Sequence, residues 1–454
     1  MQSSKPITIF FSVGEPSGDL HGANLIRQLQ ERRPGIRTVG YGGPKMAEVG
    51  CQLHFELTSL AVMWFARALA NLHTFLGLIR RADVYFRDEK PDAVVLIDYP
   101  GLNWWIARRA KARGIPVFYY SPPQIWAWGR WRVKKMRRFV DHILCGLPFE
   151  EAWLRRRGCN ATFVGHPFFD EVRRYPYDEQ FLAEHRGRPG PLVAILPGSR
   201  MQEVTHNLRW FLKAAAIIHQ RVPEARFALA SFKPHQAEVA RRLVDASGLP
   251  IEICVGKTPE LMRLADCAMS VSGSVSLELL YHTTPTAILY WISRLAYFVQ
   301  GFFRKVQSIT LVNLISTNEL ENEEQAAGAR EDRPAMAGGN GDAQEKRPAT
   351  AVAGGPEDQH ATLGSGEALF PEYLTCEDKS AEIAEHIIQW LTDPASREAL
   401  VKSLEELKAR VAHGGASGRA ADYILDVVSG QSSAPTPHAA ALNKQPCEDS
   451  RAAR

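Results

Sequence analysis

The sequence predicts an α/β protein of two Rossmann-like lobes, each on a parallel sheet, facing each other across a cleft. Two observations carry this. Short β-branched or continuous apolar runs alternate with helical stretches through the first half, the pattern of right-handed βαβ units. The same alternation restarts after a turn-rich linker, Arg186–Pro191 (RGRPGP). A length of 454 residues with 45% hydrophobic and 23% charged composition fits two domains and some additional material.

Strands are expected at Ile7–Val13, Thr38–Tyr41, Ala93–Ile97, Val117–Tyr120, His142–Cys145 and Thr162–Val164 in the first lobe. In the second they fall at Leu192–Leu196, Arg226–Ala230, Ile251–Cys254, Cys267–Val271 and Thr286–Leu289. Ala93–Ile97 is apolar throughout, as a strand covered on both faces must be. Helices are expected at His21–Arg32, Ala66–Arg87, Leu102–Arg113, from the PGSR turn to about His219, and at Lys379–Trp390, Arg397–Val411 and Ala416–Val428. Residues 1–186 form the first lobe in this reading, and 191–320 with 367–411 the second. Residues 412–428 are a helix returning to the first lobe. Residues 321–366 have almost no large apolar side chains and cannot offset their ordering entropy, so they read as a disordered insertion; 429–454 read as a similar tail.

Composition excludes several classes. A net charge of +4 does not demand a nucleic-acid partner. The seven cysteines stand singly without CxxC spacing, which points away from zinc and disulfide frameworks and toward a reducing compartment. The N-terminus runs straight into a strand and lacks the layout of a signal peptide. The longest apolar stretch, Thr286–Val306, is interrupted by Arg294, Arg304 and Lys305 and is too polar to span a membrane. No His, Asp or Glu cluster has metal-ligand spacing, so metal-free, cofactor-free chemistry in a cytosolic protein is expected.

Five segments could carry chemistry. Gly14–Asp19 (GEPSGD) turns from a strand into a helix, with Glu15, Ser17 and Gly18 placed to meet a ligand; the plainer alternative is a tight turn in which Ser17 or Asp19 caps the helix. Asp98 ends a buried strand, where desolvation should raise its pKa toward that of a useful base. Gly198–Ser199–Arg200 and Gly273–Ser274, with Glu278 one helical turn on, form strand-to-helix turns suited to a nucleotide diphosphate: helix N–H groups and a guanidinium for phosphate, a carboxylate for ribose. Trp126–Arg138 packs three tryptophans (Trp126, Trp128, Trp131) and six basic residues into thirteen positions, which suits an anionic lipid interface, with nucleic acid as the competing partner. His166 follows a strand near the lobe junction; a lone histidine there is more often structural.

These segments, in this order, resemble lipid-A-disaccharide synthase, a family of GT-B-fold glycosyltransferases. The matching stretches are GEPSGD (14–19), GGPKM (42–46), LAVM (60–63), IDYPGLN (97–103), SPPQIWAW (121–128), LPFE (147–150), VGHP (164–167), LPGSR (196–200), SGSVSLE (272–278) and NLI (313–315). The resemblance implies an inverting, metal-free transfer of 2,3-diacylglucosamine from its UDP derivative to 2,3-diacylglucosamine 1-phosphate, forming a β-1,6 bond and releasing UDP. It implies Asp98 as the base on the acceptor 6-hydroxyl, functional roles for Arg200 and Asn313, and a UDP site in the second lobe. It also implies peripheral contact with lipids on the cytoplasmic face of the inner membrane, no nucleic-acid partner, and leaves a homodimer open. Val62, Met63, Trp64 and Phe65, together with the Trp126–Arg138 segment, are the candidate acyl and membrane contacts. The sequence departs from the pattern at Trp64, where a glycine is usual, at Gly101, where a second acid is common, and at Ser316–Thr317, where a small residue precedes Gly-Arg. Competing readings are another GT-B enzyme acting on UDP-GlcNAc, a 2-epimerase or a peptidoglycan transferase, or a nonenzymatic membrane- or RNA-binding protein. The last leaves Asp98 and both Gly/Ser turns without a purpose.

Overall fold

A computed structural model describes residues 6–58, 72–294, 308–316 and 368–430. The insertion, the tail and the first residues of the helix expected from Ala66 lie outside the described residues. The first sheet has seven strands: β1 (Thr8–Val13), β2 (Arg37–Gly42), β3 (Gln52–Glu56), β4 (Ala93–Ile97), β5 (Val117–Tyr120), β6 (His142–Cys145) and β7 (Ala161–Phe163). All pairings are parallel, in the order β3-β2-β1-β4-β5-β6-β7. The second sheet has six: β8 (Leu192–Leu196), β9 (Arg226–Ser231), β10 (Ile251–Val255), β11 (Cys267–Ser270), β12 (Thr286–Trp291) and β13 (Glu372–Thr375). These too are parallel, in the order β10-β9-β8-β11-β12-β13. The predicted fold class is therefore borne out.

Hydrophobic burial sets the layers. Every residue of β4 and β8 is buried, as strands covered by helices on both faces must be. The helix Met201–Arg221 buries Val204, Leu208, Phe211, Leu212, Ala215 and Ile218 at helical spacing against the second sheet. The helix Pro16–Arg32 packs along the first sheet and meets the last helix, Ala416–Val428. Asp170 holds that last helix in place by accepting from the N–H groups of Gly415, Ala416 (3.2 Å) and Ser417 (2.8 Å), while Arg419 Nε donates to Val164 O (2.8 Å).

The crossover between lobes falls ahead of the RGRPGP turn. Asp178 N donates to Glu260 (3.0 Å), Lys257 pairs with Asp178 (2.5 Å) and Tyr177 OH meets His282 (3.2 Å), so the helix Glu179–Arg186 lies on the second lobe. Two strands had no counterpart in the sequence pattern: β3, which pairs with β2 across a register shift at Gly40/Tyr41, and β13, which lies beyond the insertion.

Candidate functional site

In an open parallel sheet, ligands bind beyond the strands' C-terminal ends where strand order reverses. Here the first sheet reverses between β1 and β4, whose last residues pair as Val13 with Ile97; the second reverses between β8 and β11, which pair Leu196 with Ser270. The residues following these four strands are Gly14–Asp19, Asp98–Leu102, Pro197–Arg200 and Val271–Ser274. One cleft of about 870 Å³ joins the two ends, taking Ser17 and Asp98 from the first lobe and Arg200, Gly273, Ser274 and Glu278 from the second.

Asp98 is held rigidly. It and Tyr99 both take left-handed backbone conformations, φ +47° and +43°, which cost side-chain-bearing residues energy and persist only where the surroundings enforce them. Asn103, fully buried, does the enforcing: its Nδ2 donates to Ser12 O (3.2 Å), Ile97 O (3.2 Å) and Asp98 O (2.8 Å), and its Oδ1 accepts from Ser12 Oγ (2.7 Å). Tyr119 OH donates to Asp98 O as well (2.6 Å). Gly14 leaves room for the Tyr99 ring, since a Cβ there would lie 2.3 Å from Tyr99 Cγ. Gly18 lets the helix approach the acid: a Cβ there would sit 3.3 Å from Asp98 Oδ2. Burial, with the negative charge of Glu15 as a second cause, pushes the Asp98 carboxyl up to about 7. Glu15 itself is exposed and is not among the cleft-lining residues.

Two histidines flank this floor. His21 and His166 both line the cleft, their rings edge to face at 6.3 Å. Burial lowers His21 to about 4 and, with His21 as a second cause, His166 to about 3, so both are neutral at ordinary pH. The His21 Nδ1 is buried without a hydrogen-bond partner, whereas His166 Nδ1 accepts from Phe168 N (3.2 Å). Sequence reasoning missed His21, which looked like one more residue of a helix; only its proximity to His166 and Asp98 sets it apart.

The second lobe's wall is more exposed. The Arg200 side chain is 69% exposed and reaches Glu203 at 3.3 Å. Glu203 also accepts from the N–H groups of Ser199 (3.1 Å) and Arg200 (3.2 Å). The helix-start donors expected to cradle phosphate are thus satisfied by a carboxylate; of that turn, the guanidinium is what the cleft receives. Gly273 and Ser274 are exposed in the cleft, and Ser272 Oγ ties the turn to Ile309 O (2.7 Å). Burial, then the nearby Glu260, raises Glu278 to about 8, so it is protonated at neutral pH and can donate as well as accept.

Several expectations are corrected. Trp126 is no membrane contact: it is 1% exposed, donating from Nε1 to Glu150 (2.9 Å) in the core, while Trp131 is 65% exposed. The Trp128 side chain and residues Val62, Met63, Trp64 and Phe65 lie outside the described residues. Asn313 is buried with its amide clamped on the Phe370 backbone, donating to O (2.7 Å) and accepting from N (3.0 Å), so it braces the cleft wall rather than facing a ligand. Asp19 does not cap its own helix but the next one, accepting from Gly43 N (2.9 Å), Lys45 N (2.9 Å) and Met46 N (3.1 Å). His185, Glu252 and Cys254 converge although the sequence showed no such cluster. His185 Nε2 meets the Glu252 carboxylate at 3.3 Å, Arg188 takes the same carboxylate at 2.6 Å, and burial pushes the Cys254 thiol up to about 12; none of the three lines the cleft.

Two parallel-sheet lobes meeting at their switch points, with an acid on one wall and a cation on the other, define an enzyme of the GT-B fold. The fold resembles UDP-GlcNAc 2-epimerase from Neisseria meningitidis bound to UDP-GlcNAc (TM-score 0.55, 11% identity, 93% of this chain and 100% of that one). It also resembles the glycotransferase of kitacinnamycin (TM-score 0.51, 16% identity, 93% and 99%). Sequence goes further than fold. The profile of the family described as lipid-A-disaccharide synthetase matches residues 9–338. Lipid-A-disaccharide synthases from Trichlorobacter lovleyi (33% identity over 71% of this chain and 85% of that protein) and Syntrophus aciditrophicus (30% over 92% and 97%) are similar to it. The chain belongs to the lipid-A-disaccharide synthase family and is a glycosyltransferase, a hexosyltransferase of lipid A biosynthesis.

Proposed function

We propose that the cleft joins a UDP-activated 2,3-diacylglucosamine, held by the second lobe, to 2,3-diacylglucosamine 1-phosphate, held by the first, releasing UDP. The observation that carries this reading is the placement of Asp98 and Arg200 on opposite walls of one cleft. A carboxyl near 7 is a far better proton acceptor than an ordinary one at 3.8, and it is half ionised at neutral pH. Asp98 takes the proton of the acceptor 6-hydroxyl as its oxygen attacks the anomeric carbon from the first-lobe side. The C1–O bond to UDP breaks on the opposite face, so a single displacement inverts the centre into a β-1,6 linkage. Arg200 meets the charge growing on the departing diphosphate, with the Gly273–Ser274 turn beside it. That cation serves where a divalent metal would otherwise be needed. The neutral His21 and His166 can orient sugar hydroxyls without adding charge, and the protonated Glu278 suits ribose.

A cleft of this size suits a nucleotide sugar and a second sugar ring but not four long acyl chains beside them. The chains must therefore leave toward lipid, which supports peripheral contact with the cytoplasmic face of the inner membrane. Among the described residues no helix is long and apolar enough to cross a membrane. The test is disaccharide formation from the two acylated sugars by the wild type and Asp98→Asn, with UDP binding measured alongside. Loss of product with UDP binding retained is expected; undiminished turnover would remove Asp98 from the mechanism.

A further inference from the structure

Among the described residues, one set of three different metal-ligating side chains converges: His185, Glu252 and Cys254, with a donor atom from each within 4.8 Å of the other two. Two elements bring them together. Glu252 and Cys254 stand two apart on β10, the edge strand of the second sheet, so both project from the same side of it. His185 comes from the helix Glu179–Arg186, 67 residues before Glu252 and the first element after the crossover between lobes. The His185 side chain is 2% exposed and Cys254 is buried, while Glu252 sits at the exposed rim.

The imidazole is oriented for coordination. Its Nδ1 lies 2.9 Å from Phe181 O, an atom that can only accept, so Nδ1 carries the hydrogen of that bond. In the neutral ring Nε2 then holds the lone pair, and it faces a Glu252 carboxylate oxygen at 3.3 Å. Two acceptors meet there, and only a proton or a cation reconciles them. The Phe181 ring stacks on the imidazole at 3.9 Å and limits its rotation. A backbone carbonyl on the far nitrogen is also the usual outer support of a metal-bound histidine.

We infer that His185, Glu252 and Cys254 bind a divalent cation of the zinc class, which ties the crossover helix to the edge strand β10. One imidazole, one thiolate and one carboxylate suit zinc and disfavour magnesium and calcium, which take oxygen ligands. Bonds of about 2.0–2.3 Å to a tetrahedral ion set its ligand atoms about 3.5 Å apart, so donors within 4.8 Å close on it by small side-chain turns. Water at the exposed rim takes the fourth place. On binding, the Cys254 thiol becomes thiolate and its proton leaves to solvent. A proton on Nε2, giving an imidazolium–carboxylate pair, is the competing arrangement. It gives Cys254 no part, and it leaves excess positive charge, because Arg188 already shares the Glu252 carboxylate at 2.6 Å. With the metal, two anionic ligands balance a divalent ion while exposed Arg188 turns out to solvent. None of the three ligands lines the cleft, so the role is structural and stands apart from the substrates proposed above. The link closes a loop of 67 residues, which restricts the unfolded chain.

The experiment is metal binding to the full chain, stripped with chelator under reducing conditions and titrated with Co²⁺ alone, then with Zn²⁺. Cobalt should bind at one equivalent per chain with a thiolate-to-metal charge-transfer band, and zinc should displace it. Saturating zinc should raise the thermal midpoint by about 2–5 °C. Cys254→Ser and His185→Gln should weaken zinc binding by at least about 100-fold, and Cys254→Ser should abolish the band. Glu252→Gln keeps the shape of an exposed side chain, so the fold is undisturbed, and should weaken binding by about tenfold or more. Arg188→Gln removes the competing cation and should tighten it several-fold. Circular dichroism spectra confirm that each variant is folded. A wild type without the band, a midpoint that zinc leaves in place, or a band that survives Cys254→Ser overturns the inference. So does a chain that ignores both metals yet loses stability in Glu252→Gln, which would make the trio an ion pair.

Discussion

The two walls of the cleft are built on opposite plans. The first lobe presents titratable groups that are recessed and braced: half-buried Asp98 fixed through its own carbonyl by Asn103 and Tyr119, and His21 and His166 kept neutral by desolvation. The second lobe presents an exposed guanidinium and an open Gly-Ser turn, while the carboxylates nearby serve as braces; Glu203 holds the PGSR turn and Glu372 holds Ile309 and Thr310. On the proposed mechanism, the difference follows from what each wall would do. A base needs a fixed position and a raised pKa, both of which burial provides. A diphosphate must enter, be gripped and leave, which an exposed arginine permits at little cost in desolvation.

If that division holds, substitutions on the two walls should fail differently. Asp98→Asn should lower kcat by roughly 10²–10⁴-fold, the range for removing a positioned general base, with UDP affinity within about twofold of wild type. Arg200→Ala should act mainly on the donor, weakening UDP binding by roughly 10–100-fold, in keeping with a charge-assisted hydrogen bond to phosphate. Isothermal titration with UDP beside steady-state kinetics checks both. An Asp98 variant that loses UDP, or an Arg200 variant that keeps it, erases the contrast between the walls.

How much of this was legible beforehand depended on whether the signal was local. Ala93–Ile97 and Leu192–Leu196 announce themselves because a strand covered on both faces must be apolar throughout. Asp98 was legible because its burial follows from ending such a strand. Trp126 was not: composition alone put it in an amphipathic segment, and its partner Glu150 lies 24 residues away on another helix. Strand β13 was hidden because Glu372–Thr375 is short, half-buried and separated from β12 by the insertion. Asn313 was given a functional role by resemblance, yet its amide is clamped on the Phe370 backbone, a partner 57 residues on. Long-range hydrogen bonds of this kind leave no periodicity to read.

The bracing of the first wall can be tested by stability as well as rate. Gly14→Ala forces its new methyl into the Tyr99 ring, so Tyr99, and Asp98 with it, must shift. Overpacking of this kind should cost about 1–3 kcal/mol in urea unfolding and lower kcat as well. The same change at Gly101, where nothing lies within 4 Å of a new Cβ, should be nearly silent in stability. Equal effects at the two positions would mean that Tyr99 is not held as tightly as its backbone indicates.

The smallest effect expected is the most specific. Burial is the larger cause of the raised Asp98 pKa, and the negative charge of Glu15 adds to it; both penalise the ionised form. In the proposed mechanism the ionised form is the active base, so kcat should rise with pH through about 7 and level off above it. In Glu15→Gln the charge is gone while the burial stays. Ionised Asp98 is then less disfavoured, its pKa falls, and the acid limb of the profile moves to lower pH without reaching the ordinary carboxylate range near 3.8. At about pH 6 the variant should keep a larger fraction of its own plateau rate than the wild type keeps, and the plateau should drop slightly as the base weakens. Glu15 is exposed and outside the cleft lining, so UDP binding should not move with it. A limb that stays in place would assign the whole shift to burial, and one that moves upward would mean that the group titrating in the profile is a different one.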